Sequence, residues 1–290
     1  MSQYHAPKKR LHRDFVYLDH DSVLNSLSAF EAGRVDEIIE KTTEATDRSA
    51  DAGVKLGPVK GGVDRRREAK LQEELVRKRT WFSAFEGWYQ QLREEEALGS
   101  FSTWDLAVRD DLRVGHTVEF EGRVRLSPLH LLFATFASYA RSASPQSPMF
   151  KVTAAAASEA RNVARLMDEV TRGPGGSHSS AVYFEPDGVL PEAPRIVGRI
   201  DATYLLRGLG ELDGVFSVVA QVEALLAPGD ELSAIRVIRD TPPTPLETRT
   251  IRDALAGLKG PAEAMGVHVE DGDITYVHPD VVVRPIAIYR

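Results

Sequence analysis

The side chains able to move protons or hold metal ions are spread thinly along this chain. Eight histidines stand at His5, His12, His20, His116, His130, His178, His268 and His278, and none falls in an HExxH or other compact ligand spacing. Histidine titrates near neutrality, so each becomes an acid–base candidate only when the fold brings it a partner. His178 with Asp201, and His268 with Asp271, are the pairings the sequence leaves open. The acids Asp110 and Asp111, and Asp271 and Asp273, offer oxygen ligands, but the first two are adjacent and the second two stand in a turn-like segment. No serine lies in a GxSxG elbow or a serine–lysine signature. The absence of cysteine excludes disulfides, thiol nucleophiles and thiolate metal sites. The sequence therefore assigns no catalytic residue, no metal ligand and no cofactor-binding residue, and no cofactor is expected.

Two segments remain as binding candidates. The run GPGGSHSS, residues 173–180, brings small residues and a histidine together, so the amides of Gly175 and Gly176, the Ser177 hydroxyl and the His178 ring could meet a small or anionic ligand. An exposed connecting loop is the competing reading, because phosphate recognition needs a defined strand–loop–helix setting. Gly61 and Gly62 follow Lys60 without a GKS or GKT element, so they form no phosphate loop.

The second segment is helical. Leu71, Leu75, Lys78, Phe82, Phe85, Tyr89 and Leu92 recur at alternating four- and three-residue spacing, which places them on one helix face across residues 64–96. Trp81 and Trp88 broaden that face, and Arg65, Arg66, Lys70 and Arg77 give its first half a basic surface. Glu68, Glu73 and Glu74 interleave with these bases, so ion pairs along the helix dilute the field a phosphate backbone would feel. Intramolecular packing, a protein or self-association surface, and a nucleic-acid or anionic-membrane surface are the readings in descending order. Arg65, Arg66, Lys70, Arg77, Trp81 and Trp88 are accordingly the candidate interaction residues, and nucleic acid is disfavoured.

The elements that must position these groups form an α+β arrangement, with long N-terminal helices appended to a mixed, mainly antiparallel strand-rich body. A helical module is expected over 1–111 and the α+β body over 112–290. In the first, Phe15 to Asp19 reads as a short strand; Asp19 or Asp21 caps a helix whose stripe runs through Leu24, Leu27, Phe30, Val35 and Ile38; and DAGVKLGPVKGGV, residues 51–63, reads as a glycine-rich hinge. In the second, Val114, Val118, Phe120, Val124 and Leu126 make a period-two pattern broken by Gly115 and Gly122, a strand with a bulge or a short strand pair, and Leu129 to Ala140 is a buried helix. A short strand near Met149 to Thr153 precedes a helix through Val163, Leu166, Met167 and Val170. Strands then alternate with proline and glycine breaks; Val215 to Val222 is one, Leu232 to Ile238 is strand or helix, and a short helix starts near Pro245. At the C-terminus Asp271 and Gly272 read as a turn, Val281 to Val283 as a core strand, and Pro285 as an edge, an ending or a bulge.

Hydrophobic residues at 42%, charged residues at 27% and a formal charge of -7 describe a globular chain with no bias toward polyanions. No apolar run reaches the roughly 18 residues a bilayer span needs, and the basic N-terminus has no apolar stretch behind it, so a cytoplasmic protein without transmembrane association is expected. The segments YLDHDSV (17–23), VVAQVEALL (218–226) and PIAIYR (285–290), with the glycine-broken helices, resemble an uncharacterised bacterial protein family. The resemblance implies a bacterial cytoplasmic protein, including an accessory role in stress or mobile-element defence, and transfers no activity. The function expected is a protein-interaction or regulatory module, with a protein partner or self-association; the alternative is a divergent enzyme or small-ligand sensor.

Overall fold

The computed structural model describes residues 13–31, 80–148, 150–170, 178–190, 192–239 and 266–290, with single positions between 240 and 265. The chain divides into two compact units, one of Asp19–Leu98 and one that joins the first strand to Gly99–Arg290.

In the first unit, α1 (His20–Glu31) starts where the Asp19 carboxylate accepts the Ser22 amide at 3.0 Å and the Ser22 hydroxyl at 2.6 Å, a side-chain cap of the kind the sequence suggests. The buried stripe of α1 is Val23 and Leu27, whereas Phe30, placed on that stripe from sequence, is 54% exposed. A second helix, α2, occupies residues 80–94 and buries Phe85, Trp88, Tyr89 and Leu92, the described end of the expected stripe. Val35 and Ile38, the 51–63 hinge, and Arg65, Arg66, Lys70 and Arg77 lie outside the described residues.

The second unit is built on a closed sheet. Its strands are β1 (Phe15–Leu18), β2 (Leu98–Ser100), β3 (Thr117–Leu126), β4 (Ser179–Pro186), β5 (Ile196–Asp201), β6 (Gly214–Leu225) and β9 (Val281–Tyr289), with a separate pair of β7 (Glu231–Ser233) and β8 (Thr275–Val277). β3 pairs with β4, β4 with β5, β5 with β9, β9 with β6, and β6 returns to β3. These five ring pairings are antiparallel except β5 with β9. Counting only these ring strands, their spatial order is first, second, third, fifth, fourth and back to first. That is the connectivity of the five-stranded Greek-key barrel called the OB fold, and it fixes architecture without fixing function.

Strand alternation explains why the ring closes. On β3, Val118, Phe120 and Val124 point inward and are buried, while Glu119, Glu121, Arg123 and Arg125 point out. β4 supplies Val182 and Phe184, β5 Ile196 and Ile200, β6 Phe216, Val218, Ala220 and Val222, and β9 Val281, Val283 and Ile288 to the same core. A barrel this narrow has room for side chains alone, and two inward positions have room for none. A Cβ on Gly122 would stand 2.5 Å from the Glu185 carbonyl oxygen, and one on Gly198 would stand 2.8 Å from Phe184 and 2.9 Å from the Val283 carbonyl oxygen. Gly122 therefore does not break β3, which runs unbroken for 10 residues; it lets β4 cross closely. Pro285 sits in the middle of β9, where the register with β6 shifts between Val219 and Ala220, so the bulge is the correct one of its three readings.

Helices cover part of the barrel's outer face. The connection between the first two ring strands carries α4 (Pro128–Ser142) and α5 (Ala154–Val170), and the connection between the last two carries α6 (Ala234–Arg239) and α7 (Asp271–Ile274). A shorter helix, α3 (Leu106–Asp111), precedes β3. Leu129, Leu132 and Phe133 of α4, Met167 of α5, Ile235 and Val237 of α6 and Ile274 of α7 form a second core with Val197 and Val282 from outward strand positions. Full burial of a side chain such as Leu129 or Leu132 stabilises by about 2 kcal/mol, which is what pins α4 to the barrel.

Other local expectations change for identifiable reasons. Val114 lies in a turn ahead of β3 and is 65% exposed, because Gly115 takes φ of 92° there. Asp271 and Gly272 open a single helical turn rather than a hairpin turn, because the Asp273 carboxylate reaches back to the Glu270 amide at 2.8 Å. Leu232 to Ile238 is strand and then helix. Near Met149 to Thr153 the described residues show only a bridge between Ser144 and Lys151.

Candidate functional site

The feature with most capacity for recognition lies wholly within the barrel unit, where α4 and α5 meet the start of β4. The Ser127 hydroxyl accepts the Leu129 amide at 3.2 Å and Pro128 occupies the first turn, so α4 starts at a fixed point. From that start His130, Phe133, Ala134 and Ala137 fall at helical i, i+3, i+4, i+7 spacing on one face. On α5, Ala164, Met167 and Asp168 do the same. The alanines leave space that larger residues would fill. The result is a half-open cavity of about 230 Å³, lined also by Ser179 and Ser180 of β4, Ile200 of β5, and Ala202, Leu205 and Leu209 beyond it.

Its few polar groups differ in state. Ser180 Oγ and His130 Nδ1 share a hydrogen bond of 2.8 Å. Burial lowers the His130 pKa, so the ring is held neutral. His178 Nε2 lies 3.7 Å from Asp168 Oδ1, both half in solvent. Ser179 is 2% exposed, and its hydroxyl has no hydrogen-bond partner. Among the described residues no carboxylate bonds the His130 ring, so Ser180 and His130 lack the third group that orients the base in a nucleophile relay. The arrangement is suited to holding a small, mostly apolar molecule.

A second polar cluster sits under α7. Tyr183 donates to Asp273 Oδ1 at 2.8 Å, and Arg195 meets Asp280 through Nε at 3.1 Å and Nη2 at 2.5 Å while donating Nη1 to the Gly272 carbonyl at 2.8 Å. Burial, then the neighbouring Tyr276 and Asp273, raise the Tyr183 pKa. Burial disfavours the Arg195 cation, yet the hydrogen bond and charge of Asp280 raise its pKa above the ordinary value. A wider, more polar cavity of about 480 Å³ adjoins this cluster, lined by Arg125, Tyr183, Asp213, His268, Glu270 and Asp273 among others. Among the described residues no group of three or more acids and histidines is placed to hold a metal ion.

Of the candidate residues read from sequence, His178 stands at the mouth of the smaller cavity, while Gly175, Gly176 and Ser177 lie outside the described residues. Trp81 is partly buried and stacks on His20 at 3.9 Å between ring centres. Trp88 is buried beside Phe85. His130, Asp168, Ser179 and Ser180 were not singled out as site residues; the SHSS run held two of them, but the partner His130 is 50 residues away.

A family model matches residues 12–289, under the description Domain of unknown function (DUF6414). The chain belongs to this family. The DUF6414 match spans both compact units, so the helices and the barrel form one family unit. No curated protein and no solved structure matches the chain. Among the described residues no helix is long and apolar enough to cross a membrane.

Proposed function

We propose that this chain is a regulatory binding module rather than an enzyme, one that senses a small ligand in its barrel unit and answers through a protein contact. The observation that carries the reading is the 230 Å³ cavity, apolar over most of its lining and carrying the hydrogen-bonded His130–Ser180 pair in its wall. Oligonucleotide-binding barrels of this topology use the face of the second and third ring strands. Here α4 and α6 pack on those strands, which supports a small ligand over a nucleic acid.

The test is a fragment screen by thermal denaturation on the full chain and on Ala137→Leu, which fills the cavity. Fragments that stabilise the parent and not the variant support the reading; stabilisation that survives the filling substitution removes the cavity from it.

The protein contact is assigned to the helical unit, where Phe30 stays largely exposed and Trp81 is only partly buried. Self-association is one form of that contact. Light scattering across a range of concentrations checks it, and an invariant monomer would leave only a different chain as partner. The bacterial, cytoplasmic setting and the accessory role in stress or mobile-element defence that the sequence resemblance implies belong to this proposal too.

A further inference from the structure

Resting on the cavity reading above, we infer that His130 is the polar anchor of the cavity: its Nε2–H donates to the ligand, a molecule with a carbonyl-type acceptor oxygen on a ring-sized apolar body. The place of the proton follows from Ser180. Its hydroxyl is 6% exposed and, among the described residues, bonds only His130 Nδ1, at 2.8 Å. A hydroxyl has one proton to give, and a buried donor left unmade is costly, so the Ser180 proton goes to Nδ1. Nδ1 then accepts, and a neutral ring bonded in this way carries its own proton on Nε2. Ser180 is a positioning residue that fixes the tautomer, and His130 is the group that touches the ligand.

Nε2 opens on this cavity. It bonds no described residue, yet it is not one of the polar atoms that packing seals off. Of the two cavities that flank the start of α4, Pro128 and Leu131 line the wider one, and His130 lines the one between α4 and α5. The donor therefore faces whatever occupies that space, and an acceptor oxygen is the group that completes it. Phe133, Ala137, Met167, Leu205 and Leu209 line the same space with carbon surface, which suits an apolar body around that oxygen. A cavity of about 150 Å³ takes benzene, so about 230 Å³ takes one ring with a short substituent, and the open side leaves a longer ligand room to extend.

The probes are acetophenone and ethylbenzene, which share a carbon skeleton and differ by one carbonyl oxygen. Each is titrated by protein-observed NMR, with isotope-labelled histidine side chains, into the full chain, into His130→Phe and into Ala137→Leu at pH 7.5. In the ligand-free parent His130 is expected to carry its proton on Nε2, and acetophenone to move that nitrogen's resonance further than ethylbenzene does. His130→Phe is expected to weaken acetophenone about 5- to 10-fold, the loss of one hydrogen bond, and to leave ethylbenzene unchanged or tighter. Ala137→Leu is expected to abolish both. A proton found on Nδ1 instead, or acetophenone losing no more than ethylbenzene in His130→Phe while Ala137→Leu abolishes both, overturns the assignment of His130 and leaves the cavity as the site. Binding that survives Ala137→Leu, or no binding of either probe up to its solubility limit, overturns the cavity reading and this inference with it. Thermal denaturation of each variant shows that it is folded before its titration is read.

Discussion

Polar groups are buried in two places on the outer face of this barrel, and their surroundings differ. Under α7, Asp280 is 4% exposed and engages Arg195 and the Val277 amide, Asp273 takes the Tyr183 hydroxyl and the Glu270 amide, and Arg195 reaches the Gly272 carbonyl. Under α4 and α5, a cavity opens and Ser179 has no partner. One group beneath α7 resembles Ser179: the Tyr276 hydroxyl makes no hydrogen bond of normal geometry, although Tyr183 lies close enough to ease its ionisation against the larger effect of burial. Tyr276 is packed between the Tyr183 ring at 6.3 Å and the Arg195 guanidinium at 5.7 Å, and it does not line the cavity. Both hydroxyls are shut off from solvent, so each is a cost of packing; what sets the second place apart is the open, mostly apolar space beside the His130–Ser180 pair.

If the α7 cluster is structural, its removal must damage the fold. Asp280→Ala leaves Arg195 without its counter-charge and strips the Val277 amide of its acceptor. Breaking such a pair by removing one partner costs about 3–5 kcal/mol when both members are buried; with Arg195 partly exposed the lower end is expected, about 3 kcal/mol in urea denaturation. A loss below about 1 kcal/mol would mean that the cluster is not what holds α7 and β8 in place.

Tyr183→Phe probes the same cluster more gently. It removes the donor to Asp273 and keeps the ring, so about 1–2 kcal/mol should be lost, and the Asp273 carboxylate keeps its bond from Glu270. No change would place Asp273 with solvent rather than with the barrel.

How much of this contrast was legible in sequence depends on how far apart the partners are. The period-two run of β3 and the apolar run of α4 announce themselves, because their signals are local and each has one buried face. Gly122 misled, since a glycine in a strand reads as a bulge or a break until the close approach of β4, some 60 residues later, is known. Closure of the ring was not legible at all: it depends on β5 lying parallel to β9 and on β6 touching both β3 and β9, pairings that leave no short-range pattern. The cavity was hidden for the same reason. Its His130 was one histidine in an apolar helix, its alanines looked like helix formers, and the GPGGSHSS segment drew attention to glycines rather than to the serines that begin β4.

Ser179→Ala should act with the opposite sign to the α7 substitutions. Removing a buried hydroxyl that has no partner relieves a desolvation cost without breaking a bond, so stability should stay level or rise by up to about 1 kcal/mol in the ligand-free protein. A clear loss in denaturation would show that Ser179 has a partner, an ordered water included, and would erase the difference between the two places.

The smallest effect expected is a pH dependence set by His130. Burial lowers its pKa in the folded chain below the ordinary 6.5, so the folded state resists the proton that the unfolded state accepts. Above pH 6.5 the ring is neutral in both states and the full stability is present. As pH falls through 6.5 the unfolded chain gains a proton first, and stability drops until the folded ring also titrates. His130→Gln keeps a polar group beside Ser180 and removes the titration, so the variant should show a shallower loss of stability between pH 6.5 and pH 5 than the parent. Equal slopes would mean that His130 takes its proton freely in the folded state. Its ring would then carry charge into the cavity near neutral pH, and the contrast between an uncharged cavity and the ion-paired cluster under α7 would fail at its source.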